Sequence, residues 1–479
     1  MSEPKRLHPI AAVVNMLRQL KELIVPLIVF VVFGSSGDGG NQFYLIAVAG
    51  GLFLVFISGI IFWYRFTYRV EDGELRIEHG LFVRKKRYIP FERIQSLDVS
   101  EGLLQRPFGL VKVKVETAGG AGAGEAEAVL TAIRKNEANE IHDLLVKLKK
   151  STHAVEEGEQ IDSKETVIYK ISSSELLLLA STSGGVGVVI SAVFAFFLQF
   201  EEFIPFDRVF NEVEHFISSG LVFISIIIFL GFLLAWAISV VGTMLKYANF
   251  TLKRVDDDLI ITRGLLEKRQ FTIPIKRIQA VRISENLLRQ PIGMASVFVE
   301  SAGGSALNEE SSKVLILPII KKQKVARLLE PYLDDYQLNS ELHSVPSRAY
   351  IRYLLKGWFI AIPIVLVVVF LFRPWGYFSI ALLVASALWS WLEYRDAGWS
   401  LYDGLLTLRF RTIVKSTVFM KREKVQSLTI KQSHFQTQKR LATIDAVVKS
   451  GHGGSGGKVY DLDWEDTKKI YNWFSRKED

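Results

Sequence analysis

The sequence predicts a membrane protein of the α+β class, with six transmembrane helices in three hairpins. Each hairpin is followed by a small cytoplasmic β-barrel or split sheet that a C-terminal helix caps. Three observations lead to this reading. Six apolar stretches reach, or nearly reach, the length that crosses a bilayer. The text "IPFERIQSLDVSEGLLQRPFGLVKVKVETAGG" (89–120) recurs as "IPIKRIQAVRISENLLRQPIGMASVFVESAGG" (273–304). Basic residues, finally, avoid the short loops inside each apolar pair.

The chain's 479 residues are 49% hydrophobic and 23% charged. Its mean hydropathy of +0.24 is high for a globular chain that charged, so the apolar residues must cluster. A net charge of +8 fits a membrane surface or the basic loops of a membrane protein. The absence of cysteine excludes disulfides, thiolate metal sites and cysteine nucleophiles.

The apolar segments are "LIVPLIVFVVFG" (23–34, extended back toward Met16), 43–64, 176–198, 217–245, 358–372 extended over "YLLKG", and 377–394. The first is the shortest, and Arg18 and Lys21 must snorkel if it spans. "MSEPKRLHPIAAVVNMLRQLKE" lacks a small-residue cleavage site and is not read as a signal peptide. The pairs are joined by 34–42, 199–216 and 373–376, which hold only Arg208 and Arg373 of the 58 Lys and Arg. The positive-inside tendency therefore puts the hairpin tips outside, and both termini and all polar domains in the cytoplasm. No Asp, Glu, Lys or Arg stands near the middle of a span, which argues against a pump or proton-coupled transporter.

Residues 66–120 align with 250–304 without a gap, from Phe66/Phe250 to the two Ala-Gly-Gly triplets. A third, degraded copy (421–457) keeps the Lys-Val-Gln core and terminal glycines but loses the Pro and Gly of the middle turn. The division that follows is 1–64, N-terminal interfacial segment and first hairpin; 65–150, first β domain; 151–175, linker; 176–245, second hairpin; 246–333, second domain; 334–349, linker; 350–394, third hairpin; 395–479, third, divergent domain. Within each domain "ELRIEHGLFV", "DLIITRGLLE" and "VKVKV" alternate as strands, and 136–150, 321–333 and 464–474 read as amphipathic closing helices.

The "RIQS" strand, the "LLQRPFG" turn, the glycine loop and the hairpin-plus-domain repeat resemble the bacterial pleckstrin-homology (PH)-like domains of the second class. The three-unit layout is similar to one type of membrane protein within that family. The resemblance implies a PH-like barrel in each polar unit and does not imply an enzymatic activity. It weakly suggests a role in envelope stress or in resistance to membrane-active peptides.

Strand alternation would place Arg93 and Gln95, Arg277 and Gln279, and Lys424 and Gln426 on one inward row beside two aliphatics. The fold itself is the preferred explanation for that repetition; contact with a ligand is the alternative. The basic groups Arg84, Lys85, Lys86, Arg87, Lys268, Arg269, Lys276, Lys421 and Arg422 precede the repeated strands. They read as a solvated face or as contacts to anionic headgroups or a partner, at about 1 kcal/mol each near such a surface. The glycine loops 118–124, 302–305 and 451–457 read as hairpin loops; Lys458 is followed by Val459, so no phosphate-loop motif forms. The eight histidines show no metal-ligand spacing, and neither catalytic group nor cofactor is expected. The expected function is a non-enzymatic scaffold in the plasma membrane. Its expected partners are lipids and a protein partner or further copies of itself, not nucleic acid. A transporter or channel component and a lipid-modifying enzyme are the competing readings.

Overall fold

The computed structural model describes residues 4–34, 41–80, 83–117, 128–141, 143–144, 165–183, 221–301, 313–333, 336–339, 341–373, 375–450 and 453–475. It divides into two compact units. Unit 1 is Met1–Lys164 with Ile260–Ile273; unit 2 is Glu165–Leu259 with Pro274–Asp479.

Unit 1 starts with a two-residue strand β1 (Lys5–Arg6), followed by helices Ile10–Gly34 and Asn41–Arg65. Strands β2 (Thr67–Glu71), β3 (Glu74–His79) and β4 (Lys85–Pro90) extend β1 into a four-stranded sheet in the order β1-β2-β3-β4. β5 (Ile94–Glu101), β6 (Leu110–Thr117) and β7 (Ala128–Arg134) form the opposing antiparallel meander. One apolar cluster holds both layers together: Leu75, Ile77 and Ile89 from the first sheet meet Leu97, Val111, Val113 and Leu130 from the second. The split sheet expected from the alternation is therefore present, and a closing helix starts at Lys135. In unit 2, β8 (Glu165–Lys170) pairs with β9 (Thr251–Val255). The second repeat continues as β10 (Asp258–Arg263) and β11 (Lys268–Pro274), most of whose residues belong to unit 1, and then in unit 2 as β12 (Ile278–Glu285), β13 (Met294–Ser301) and β14 (Lys313–Lys321). The third comprises β15 (His343–Ser344) to β18 (β16 Gly398–Tyr402, β17 Leu405–Arg411, β18 Lys415–Lys421), then β19 (Val425–Lys431), β20 (Leu441–Ser450), β21 (Gly453–Asp463) and the helix Trp464–Ser475.

Among the described residues three helical segments are long and apolar enough to cross a membrane: Phe229–Tyr247, Ser347–Leu371 and Gly376–Asp396. Ala49–Arg65 is a shorter apolar segment. Phe359 is 82% and Phe378 76% exposed, apolar surface of the kind that marks a membrane or protein contact. The segment 184–220, which contains most of the second expected hairpin, lies outside the described residues. In the third hairpin the two helices approach so closely at Gly357 that a Cβ there would sit 2.5 Å from Ser390 Oγ, the small-residue packing that membrane helices use.

Two features correct the expected boundaries. Residues 151–175 and 334–349 are not simple linkers: they contain β8 and β15, each of which pairs with the first strand after the hairpin it precedes. β1 does the same, with Arg6 opposite Thr67 and Lys5 opposite Tyr68, so the N-terminal segment is part of a sheet. The repeated unit is thus strand, hairpin, strand. The buried residue after each short strand (Leu7, Ile171, Val345) anchors it, and Trp63 Nε1 donates to Leu7 O at 2.8 Å.

The second correction concerns the third copy. Its missing turn is replaced by a short helix, His434–Gln438, started by a Ser433/Gln436 capping box. Arg440, with φ of 50°, stands where Gly109 (63°) and Gly293 (66°) adopt the left-handed conformation. A side chain there costs about 1–2 kcal/mol of strain that glycine avoids. The glycines 453–457, expected as a loop, lie in β21, where Gly457 is packed so that a Cβ would meet Leu408 at 3.1 Å.

Candidate functional site

The repeated Gln has a specific structural post. In each copy the pairing register slips around it: between Ile94 and Ser96, Ile278 and Ala280, and Val425 and Ser427. It is the extra residue of a β-bulge, a device that bends a strand where two layers of a barrel meet. Gln279 is buried, and its Nε2 donates to Arg277 O at 3.0 Å, tying the bulge to the backbone just before it. The side chain of Gln95 is outside the described residues.

The inward row does not hold for every member. Arg93, Arg277 and Lys424 end one-turn 3₁₀ segments before the strands rather than standing in them, and Arg93 is exposed. Gln426 is exposed as well, because β19 has a strand neighbour on one side only among the described residues. Gln279→Ala should therefore cost about 1–3 kcal/mol and lower the protein's abundance, as loss of a buried hydrogen-bonding group does. Gln426→Ala should stay within about 0.5 kcal/mol. Thermal melts of the two variants beside wild type check the pair, and an equal loss would remove the bulge argument.

The basic candidates are dispersed. Arg84, Lys85 and Lys86 are exposed; Arg84 and Lys86 both pair with Glu78, the latter at 3.6 Å. Arg87 is half-buried. His79, stacked on Phe66, has its pKa lowered chiefly by burial and further by Arg87 and Lys85. Lys268 is exposed, Arg269 pairs with Glu267 at 3.0 Å, and Lys276 with Asp257 at 3.3 Å. Lys421 lies over the Tyr336 ring at 5.0 Å, and the Arg422 N–H donates to Gly404 O at 3.0 Å. Most of these groups have a partner within their own copy, at the ~0–1 kcal/mol of surface pairs.

Sequence reading missed a polar node in unit 2. Asp396 is the last residue of the helix Ala381–Asp396; its direct partners are in the third repeat, and two of them, Arg411 and Lys415, reach on to the second. Its carboxylate pairs with Arg411 and with Lys415 (3.5 Å), while its carbonyl accepts from Arg409 Nε at 2.6 Å. Burial lowers the pKa of the Arg409 guanidinium, and Asp396 and Glu285 work against that shift. Lys415 reaches on to Glu285 (3.6 Å), and Arg411 donates to Gln290 Oε1 at 2.7 Å. Glu285 also holds Lys322 at 3.0 Å. Apart from Lys322, these groups line a cavity of about 540 Å³ together with Arg395 and Pro291, four cations to two carboxylates. One signal was available: Arg411 stands where the first two copies have Gly80 and Gly264, so the third copy exchanges a turn for a buried guanidinium. Nearby, Arg289 is buried among neutral acceptors, donating to Ser296 Oγ (2.7 Å), Thr182 Oγ1 (2.8 Å) and Leu179 O (3.3 Å). A cation at those carbonyls stabilises the C-terminal end of the helix Ser173–Ser181. Among the described residues no three His, Asp or Glu side chains group as a metal site.

Neighbouring repeats are joined by backbone. In unit 1, β11 of the second repeat runs antiparallel to β5 of the first, with Lys268 opposite Glu101, Arg269 opposite Ser100 and Gln270 opposite Val99. In unit 2, β18 of the third repeat runs antiparallel to β12 of the second, from Lys415 opposite Glu285 to Met420 opposite Ala280. The two seams share one register: Glu285 is Glu101 shifted by the repeat, and Lys415 is Lys268 likewise.

A split sheet closed by a helix, repeated behind apolar hairpins and sewn edge to edge, defines a membrane protein built of PH-like domains. The chain belongs to the bacterial PH domain family, whose model matches residues 19–149, 195–335 and 355–478. It is 38% identical over 490 residues to the UPF0699 transmembrane protein YdbT of Bacillus subtilis (strain 168), covering 99% of each chain. It is also 28% identical over 103 residues to UPF0699 transmembrane protein YdbS of that organism, covering 22% of this chain and 61% of the relative. No solved structure matches.

Proposed function

We propose that the chain is a non-enzymatic scaffold of the plasma membrane, crossing it six times with both termini in the cytoplasm. It presents a row of PH-like domains to a protein partner or an anionic lipid surface, in defence of the envelope against membrane-active peptides. The observation that carries this reading is the Asp396 node. It fixes the end of an apolar helix to strands of two successive repeats at once, which is an arrangement for holding domains in place rather than for moving them past one another. Beside the buried node, Arg395 is exposed at the helix end, where a cation can reach anionic headgroups.

Two measurements test the proposal. Reporter fusions at Gly37, Asp207 and Trp375 should register outside, and fusions at Ala154, Asn339 and Asp479 inside; a cytoplasmic signal at Asp207 would break the three-hairpin topology. Proteoliposomes containing the full chain should conduct no ions and release no small dye, and gentle solubilisation of native membranes should retain a stoichiometric partner. Flux that depends on the chain would turn the reading to a transporter.

A further inference from the structure

Each PH copy offers two strand edges to its neighbours, and the seams show which edges fit. The third strand after the hairpin (β11, β18) accepts the first meander strand of the preceding copy (β5, β12). The corresponding strands at the two ends of the row, β4 and β19, each have one strand neighbour among the described residues. An exposed strand edge is a template for another strand unless its side chains forbid it.

The register common to both seams decides what each end would accept. At its end a cation faces an acid: Lys268 and Glu101, Lys415 and Glu285. Lys415 Nζ is 3.6 Å from Glu285 Oε1. At the free edge of β4 the cation is kept, as Arg84, and a second cation, Lys85, follows it. On β19 the acid is gone. The Ser-Glu ending of β5 (Ser100, Glu101) and β12 (Ser284, Glu285) has become Lys431-Gln432. A second copy docking β19 on β4 in the seam register would set Lys431 against Lys85 and Gln432 against Arg84, and directly opposed like charges destabilise a strand pair. The row is built against joining its own tail to its own head.

We infer that the free edge of β4 is a docking site for the edge strand of a different bacterial PH-domain chain, one that carries an acid where Glu101 and Glu285 stand. This rests on the scaffold reading and names where the partner attaches.

The absence of native cysteine allows a direct test on the full chain in nanodiscs. The acceptor carries Lys86→Cys. The probe is a second full chain carrying Ile430→Cys, the position opposite 86 in the seam register, either with its native edge or with Lys431→Ser and Gln432→Glu, which rebuild the acid ending. A short bis-maleimide should link the rebuilt probe to the acceptor about tenfold faster than the native probe, the ratio that about 1.4 kcal/mol of edge discrimination gives. An acceptor with Arg84→Glu and Lys85→Glu should reverse that order, linking the native edge faster; this arm stands even if the rebuilt probe fails to fold. Linking rates that ignore charge in both arms would overturn the inference. So would failure of every pair to link while a photoactivatable anionic lipid labels the acceptor's β4, which would make the edge a headgroup contact. Because the flux and topology measurements do not involve these positions, loss of this inference leaves the scaffold reading to be judged separately.

Discussion

Replacing Glu300 with leucine should cost about 3–5 kcal/mol, the range for stripping a buried charge of its counter-ion. Glu300 has no exposed side-chain surface and Arg282 has 8%. The guanidinium reaches the carboxylate at 2.6 Å through Nη2, and Nη2 also donates to Gly456 O at 2.7 Å, in the next repeat. With the acid removed, Arg282 stays buried against β21, with the Gly456 carbonyl, the Ser455 hydroxyl and the Phe410 ring for company. At roughly 2–4 °C per kcal/mol, the melting temperature should fall by at least about 6 °C in detergent. The double variant Arg282→Met with Glu300→Leu should recover most of the loss, because a buried ion pair is often replaceable by packed apolar groups. A double variant no more stable than the single one would show that the bond from Arg282 to Gly456 contributes more than the ion pair does.

Asp396→Ala should be comparably damaging, and Asp396→Asn intermediate. The alanine leaves Arg411 buried and Lys415 largely so, with Gln290 and the Trp389 ring still beside the first and Glu285 beside the second. Asparagine keeps an oxygen for Arg411 Nε, now 2.6 Å from the carboxylate. Adding Arg411→Met to Asp396→Ala should restore about half the loss or more. The check is the melting temperature together with protease resistance at the end of the helix, since losing the node should free that end. Equal stability of the alanine variant and wild type would remove the coupling on which the scaffold reading stands.

The hairpins, the domain alternation and the repeat were legible because they are periodic: apolar length, strand alternation and repeated text are local signals. The short strands β1 and β15 were not, since two residues carry no periodicity and their partners lie beyond a whole hairpin. Repetition singled out the Gln, which stands at a bulge, but simple alternation placed Arg93 and Lys424 on its row, because a bulge shifts the side-chain phase by one residue. The glycines of β21 read as a loop, although glycine is also what a strand needs when Leu408 and Phe410 press on it. The Asp396 node escaped because its members are spread from Glu285 to Lys415 and only the fold gathers them. The seams escaped for the same reason.

The strand that precedes each hairpin also imposes an order on biosynthesis. β1 leaves the ribosome before the helices Ile10–Gly34 and Asn41–Arg65, and its partner β2 follows them. On the proposed six-span topology, the pair can close only when the chain has gone out and returned to the side it left. The same holds for β15 and β16 around the third hairpin. A hairpin that stalls halfway, or inserts one helix and not the other, leaves its first strand across the bilayer from its mate and its sheet one member short. In that topology, completion of each sheet would report correct insertion, and a wrongly threaded chain would carry an unfinished strand edge.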